Sequence, residues 1–451
     1  MRKVKAGFVC FGEVNTPKDI INKKCKTAIE ELKSIDFDLV LTPPVSDDPE
    51  AKDVKRALKD LSKERFDLLI LCIAGWIPSH AVISIAQEYS HIPMLLWGLC
   101  GYYKDGTLIT TADQAGTSAL RKVLKDLNYR FKFVYNCIGK PSPLDEIKRF
   151  GEICRTLNYL KYARIGSMGH RDMNLYATLY NPISLKSKIG TEVEFFDILE
   201  IVQRSEKISE DRINDVLKKI KSKWQFIKKP EDELLIKGIR YFLALKDKIE
   251  ERKYNAITLI DVDGMKKLLN FPPAMILTLI SDELRIMTTP ENDIPGSITQ
   301  LVVHSLTGQI APYFEFYEFM EDRLLMGVPD YVPSEIVEGQ TTFTLTRFGE
   351  LSGGILNVSK VKTGIVTLSR LSWESDEMVM HILTGEAVEP RKWEEAGWEP
   401  PAPQLPGLEV IIDTPVEDFA QKVLGQHYIL SYGNHIKELS DFCKLMDIKV
   451  I

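Results

Sequence analysis

No apolar run in the sequence approaches the roughly 20 residues that a membrane-spanning helix needs, so no membrane segment is expected. The N-terminus, Met1-Arg2-Lys3-Val4-Lys5, runs directly into a strand-like Ala6–Phe11. It lacks the cationic segment, apolar stretch and small-residue cleavage site of a signal peptide, so a cytoplasmic protein is expected. Cysteines are few and scattered: seven stand singly at 10, 25, 72, 100, 137, 154 and 443, without a Cys-x-x-Cys pair. That spacing excludes a disulfide framework and a thiolate-ligated zinc site as first readings, and leaves reduced, mostly buried thiols. Positive charge is not in excess either. The net charge is −6, which supplies no basic field for a polyanion, so nucleic acid is not an expected partner.

The sequence is equally poor in common catalytic signatures. It has only seven histidines and no His-Glu-x-x-His, Gly-x-Ser-x-Gly or Walker phosphate loop. Phe11-Gly12-Glu13, after the first strand-like run, lacks the glycine spacing of a dinucleotide site.

What is present is a long chain of ordinary globular composition, 451 residues with 44% hydrophobic and 27% charged, enough for two or three domains. Short apolar runs at Val4–Phe11, Asp38–Leu41, Asp67–Ile73, Pro93–Trp97 and Phe131–Tyr135 alternate with helical periodicity. This predicts a doubly wound, flavodoxin-like parallel sheet over residues 1–162, with fully apolar strands because both faces are covered. The alternation restarts at Ala163–Gly166 and continues through Glu192–Phe196, Ala256–Asp261 and Arg285–Thr289, predicting a second such domain over 163–325. Beyond it, Thr341–Phe348, Ile355–Val361, Gly364–Leu371 and Met378–Leu383 are rich in Thr, Val and Ile, and predict an antiparallel, β-rich domain over 326–451. Trp393–Pro406 reads as an irregular loop. Helix, strand and helix at about 415–425, 427–432 and 434–446 close the chain.

Three carboxylate or imidazole positions stand out. Pro290-Glu291-Asn292-Asp293-Ile294-Pro295 lies between a strand and a helix, where open α/β sheets bind ligands. An N-cap at Asp293, with Pro295 in the first turn and Glu291 solvated, accounts for the same residues. Glu315 sits in the aromatic run Pro312–Phe319, whose alternation puts Tyr313, Glu315 and Tyr317 on one face. It is either a buried acid that needs a partner or an edge residue facing water. His427 opens a short strand in Gly425-Gln426-His427-Tyr428-Ile429-Leu430-Ser431-Tyr432-Gly433. Spacing alone does not bring these residues together. His170 and Arg171, in Gly169-His170-Arg171-Asp172, occupy a strand-end loop that reaches a ligand or is simply capped by Asp172. Asp261 and Asp263 have the same two readings, His304 in an apolar helix reads as structural, and Lys218–Lys223 as a solvated helix face.

A glutamate after a strand, a second acid about two dozen residues later on an aromatic strand, and a near-C-terminal His-Tyr-x-x-x-Tyr-Gly together resemble the L-fucose isomerase and L-arabinose isomerase superfamily. The resemblance covers nearly the whole chain, with motifs concentrated in residues 286–330 and 420–448. It implies a divalent ion, manganese in most members, held by Glu291, Glu315 and His427, with Glu291 and Glu315 also moving protons. It implies that Trp76, in Gly75-Trp76-Ile77-Pro78, corresponds to an aromatic reaching a neighbouring subunit's sugar, and that the chain forms a trimer or hexamer. The activity implied is aldose–ketose isomerisation of a free monosaccharide of the L-fucose, D-arabinose or L-arabinose type through an enediol. An inactive or regulatory sugar-binding protein on the same fold is the alternative. Three positions depart from the pattern. Asn292 replaces the Gly of a Glu-Gly-Asp motif, Val328 stands where arabinose isomerases have a further histidine, and Asn434 replaces an Asp.

Overall fold

The computed structural model describes residues 2–328, 331–348, 351–390 and 407–451; the expected loop Trp393–Pro406 lies outside them. The chain divides into two compact units, Met1–Tyr159 and Leu160–Ile451.

The first unit is built on β1 (Lys5–Phe11), β2 (Asp38–Leu41), β3 (Leu68–Ile73), β4 (Met94–Gly98) and β5 (Phe131–Tyr135), all parallel, in the order β2-β1-β3-β4-β5. This is the flavodoxin-like strand order. All six side chains of Leu68-Leu69-Ile70-Leu71-Cys72-Ile73 are buried. Successive strand residues point to opposite faces, so both faces of the sheet are covered. Helix Lys18–Ser34 buries Ile21, Cys25, Ala28 and Leu32, one stripe at helical spacing. A small hairpin, Tyr102–Lys104 with Thr107–Ile109, was not anticipated. Its turn is Asp105-Gly106, both with positive φ, the conformation a two-residue hairpin loop demands.

The second unit holds a parallel sheet and a barrel. β6 (Arg164–Met168), β7 (Glu192–Phe196), β8 (Ala256–Leu259) and β9 (Met287–Thr289) pair in the order β9-β8-β6-β7. β10 (Tyr313–Phe319), β11 (Leu324–Gly327), β12 (Gly364–Glu374), β13 (Glu377–Val388), β14 (Gly407–Ile412) and β15 (His427–Tyr432) form an antiparallel circuit, β12-β15-β10-β11-β14-β13 and back to β12. Closure leaves no open edge in that circuit. Strands β10 and β11 thus belong to the barrel, which begins before residue 326. The strand expected at Ile355–Val361 is found at Ser352–Asn357, paired with Thr342–Phe348 outside the barrel. It stops at Asn357 because that side chain accepts a hydrogen bond from the backbone N–H of Ser359, a local turn that ends the ladder.

Helix Ile294–Thr307 joins the two halves of this unit. It packs against β8 and β9 on one side and against β12 and β15 on the other. Twelve of its residues are buried, which explains a helix that is apolar nearly all round. Among the described residues, no helix is long and apolar enough to cross a membrane. The seven cysteines are free, five of them buried.

Candidate active site

The C-terminal ends of β9, β8 and β6 lie side by side, and the turn after β9 crosses them. Glu291 and Asn292 both have left-handed backbone, φ 62° and 52°, which costs a non-glycine residue about 1–2 kcal/mol. The turn is held by the Asn292 N–H donating to Leu259 O (3.1 Å) and by its side-chain NH2 donating to Ser167 Oγ (3.0 Å) and Met168 O (2.9 Å). Asparagine is one of the few non-glycine residues that visits this conformation routinely. The departure from glycine at 292 therefore preserves the backbone and adds two hydrogen bonds. Asn434 likewise has a local task, its Oδ1 accepting from the N–H of Ile436 at the start of helix Ile436–Met446 (3.2 Å). Val328 is buried and has no donor atom to offer an ion.

Asp293 is the expected N-cap, accepting from the Gly296 N–H at 2.9 Å, and it is more than that. Arg370, from β12, donates to Asp293 Oδ2 at 2.7 Å and Oδ1 at 3.2 Å, and to the carbonyls of His427 (2.8 Å) and Ala177 (2.8 Å). Tyr313 OH donates to Asp293 Oδ2 at 3.1 Å. Arg370 and Asp293 are both completely buried. Burial alone would raise the Asp293 carboxyl, but the Arg370 charge and its hydrogen bonds outweigh that, and the net displacement is downward.

His427 stacks on the Tyr313 ring, centroids 4.2 Å apart, and burial lowers its pKa to about 3, so the imidazole is neutral. Its Nε2 lies 3.5 Å from Glu291 Oε2, an oxygen that is buried without a hydrogen-bond donor. Burial raises the Glu291 carboxyl well above the ordinary range. The charges of Asp261 and Glu315 add to this rise, and Lys266 opposes it. Glu315 on β10 is the ladder partner of His427 on β15; directly opposed residues of an antiparallel pair project to the same face. The structure therefore brings Glu291, Glu315 and His427 to one place. Lys266 and Asp261 form a buried ion pair, Nζ to Oδ2 2.9 Å, across a π-helical turn after β8. Irregular turns of this kind recur at functional sites.

His170 and Arg171 follow β6; His170 stacks on Phe195 and Arg171 donates to Asn174 Oδ1 at 3.0 Å. Trp76 lies in the first unit, after β3, with 37% of its surface exposed. Asp263 pairs with Lys267, and His304 is structural, its Nδ1 2.9 Å from Gln309 O. Arg370 escaped the sequence reading. Its signal is a lone charge in the apolar strand run Gly364-Ile365-Val366-Thr367-Leu368-Ser369-Arg370-Leu371, where a buried cation requires a partner.

Whether these residues suit a divalent ion is decided by the unpartnered Glu291 Oε2. A buried carboxylate oxygen without a donor, facing a neutral imidazole nitrogen, is an oxygen and nitrogen pair of the type that manganese and related ions accept. Among the described residues, no three His, Cys, Asp or Glu side chains already stand as a cage. Glu291 and His427 are adjacent, and Glu315 supplies a third donor on the same face. The donor types fit.

No family model matches the chain. It is similar to sulfoquinovose isomerase of Priestia aryabhattai, 22% identical over 226 residues, 50% of this chain and 50% of the relative. The same values hold for sulfoquinovose isomerase of Priestia megaterium. The match thus spans about half the length of these curated relatives, and supports likeness to a sugar isomerase. A solved periplasmic solute-binding protein from Actinobacillus succinogenes with bound D-allose aligns at a TM-score of 0.17 and 12% identity, covering 69% of this chain and 94% of its own. A score that low carries no argument about fold or function.

Proposed function

We propose that the protein interconverts an aldose and its ketose, acting on a free monosaccharide with a divalent ion, manganese or a close relative, held by Glu291, Glu315 and His427. The observation that carries this reading is the buried Glu291 Oε2, without a donor, against a neutral His427 whose strand partner is a second acid, Glu315. The likeness to sulfoquinovose isomerase points to the same reaction class.

Isomerisation removes the proton from C2 beside the C1 carbonyl, returns a proton to C1, and moves a hydroxyl proton from O2 to O1. Two carboxyl groups serve this exchange when one is ionised as the other carries the proton. Glu291 and Glu315 take those roles in turn, one at the carbon and the other at the oxygens. Asp293 and Arg370 hold the Glu291 turn and the His427 carbonyl in one rigid frame, so the acids need not reorganise during turnover. His427, neutral and stacked on Tyr313, offers its lone pair. A bound ion would withdraw electron density from the two neighbouring sugar oxygens. A homo-oligomer in the cytoplasm belongs to the same reading.

The test is ketose formation from a panel of aldoses, L-fucose, D-arabinose, L-arabinose and sulfoquinovose among them, with manganese present. Turnover of one of them, reduced at least about 100-fold in Glu291→Gln and in Glu315→Gln, is the expected result, in line with loss of a positioned acid or base. Undiminished turnover in Glu291→Gln would overturn the assignment.

A further inference from the structure

The loop after β6, whose two ends are hydrogen-bonded to Asn292 and Arg370, presents a guanidinium without a counter-charge. Arg171 donates to Asn174 and lies 5.0 Å from the centre of the Tyr176 ring, and among the described residues no carboxylate pairs with it. The acids nearby are otherwise engaged. Asp172 is buried and accepts from the N–H groups of Val262 (2.7 Å) and Asp263 (2.8 Å). Asp263 pairs with Lys267 at 2.7 Å and accepts from the Met173 N–H at 2.8 Å. In a chain of net charge −6, a cation left unpaired beside such acids is conspicuous.

The loop is also built against its own preference. Met173 has φ of 46°, a conformation that persists in such a side chain only where the surroundings impose it, and such strain gathers at ligand clamps; Asn174, at φ 54°, adopts the same conformation more readily. The surroundings here are those of the candidate site. At one end, the Met168 carbonyl accepts from Asn292, the neighbour of Glu291. At the other end, the Ala177 carbonyl accepts from Arg370, which also grips Asp293. His170, stacked on Phe195 at 5.2 Å, adds a ring N–H on the same loop. A guanidinium positioned by an aromatic ring and an amide oxygen has further N–H groups for two-pronged binding of an oxyanion.

We propose that Arg171, with His170 beside it, binds a tetrahedral oxyanion, sulfonate or phosphate, at the end of the sugar away from the reacting carbonyl. The substrate class is therefore an acidic aldose. Which end of the sugar faces Glu291 rests on the isomerase reading; the binding of the anion does not.

Calorimetric binding of D-glucose, D-glucose 6-phosphate and 6-deoxy-6-sulfo-D-glucose to the full-length, manganese-supplied protein tests this, with ketose formation followed in parallel. At least one acidic sugar is expected to bind tenfold or more tightly than D-glucose. In Arg171→Met that ratio collapses towards one, and Arg171→Lys keeps part of it. Which acidic sugar gains more separates sulfonate from phosphate. The proposal is overturned if neither acidic sugar outbinds D-glucose, or if Arg171→Met keeps the full ratio while melting like the wild type. Arg171-dependent binding of an acidic sugar without ketose formation from any aldose would sink the isomerase reading and leave the anion subsite standing.

Discussion

Arg370 and Asp293 meet at 2.7 Å with both side chains wholly out of water, and this pair ties the barrel to the turn that carries Glu291. Removing one partner of a buried ion pair leaves an uncompensated charge and costs about 3–5 kcal/mol. Arg370→Met is expected to lose that much in urea denaturation, and the double variant Arg370→Met/Asp293→Asn to recover part of it. A double variant as unstable as the single one would show that the pair acts only through its other contacts.

Asn292 separates backbone conformation from side-chain bonding. Asn292→Ala loses the bonds to Ser167 and Met168 and places a methyl-bearing residue at φ 52°. Asn292→Gly loses the same bonds but accepts the left-handed backbone freely. Glycine is expected to be the milder change by about 1 kcal/mol, as read from denaturant midpoints. Equal losses would contradict the conformational account.

Glu291→Gln should separate stability from activity. The carboxyl is raised by burial and neighbouring acids, so in the folded state it is destabilised in its charged form. Its contribution to wild-type stability falls as pH rises through that raised pKa. Compared without metal, the variant is expected to gain on the wild type as pH rises above the ordinary glutamate range, while the manganese-supplied variant loses isomerase activity. A stability difference that does not change with pH would contradict this.

His381 is buried in the barrel, its Nδ1 lies 2.8 Å from the Tyr428 hydroxyl oxygen, and its pKa is lowered by burial from 6.5 to about 4. With a folded pKa below the unfolded one, the folded state binds fewer protons between those values. Its contribution is therefore complete above about pH 6.5 and is lost as pH falls towards 4. In His381→Gln the slope of unfolding free energy against pH over that window should shrink by about one proton, roughly 1.4 kcal/mol per pH unit. An unchanged slope would mean that the imidazole is charged in the folded protein.

Much of the fold could be read from the sequence because local patterns decide it. Phe131–Tyr135 and Glu192–Phe196 appear as strands with the bounds that their apolar runs predict. Asp67 directly precedes β3; its N–H donates to Lys5 O at 2.8 Å, and its carboxylate accepts from Arg2 and the Lys5 N–H. The assignment of Tyr313–Phe319 to a closed barrel was not readable, since its partners include β15, more than a hundred residues away. The site divides in the same way. Glu291, Glu315 and His427 were found by resemblance to motifs, and Asp293 as a cap by its place before Ile294-Pro295. Its partner Arg370 lies 77 residues further on, and no local rule links the two. The paired left-handed residues at 291 and 292 were equally invisible, since only the choice of asparagine hints at them.

The most direct measurement of the central claim is the metal content of the purified protein after manganese is supplied and excess is removed, beside the Glu291→Gln/His427→Ala double variant. The expected result is one ion per chain in the wild type and none in a variant that remains folded. A wild type that retains no metal, or a folded variant that retains as much as the wild type, would contradict the assignment of Glu291 and His427 as ligands.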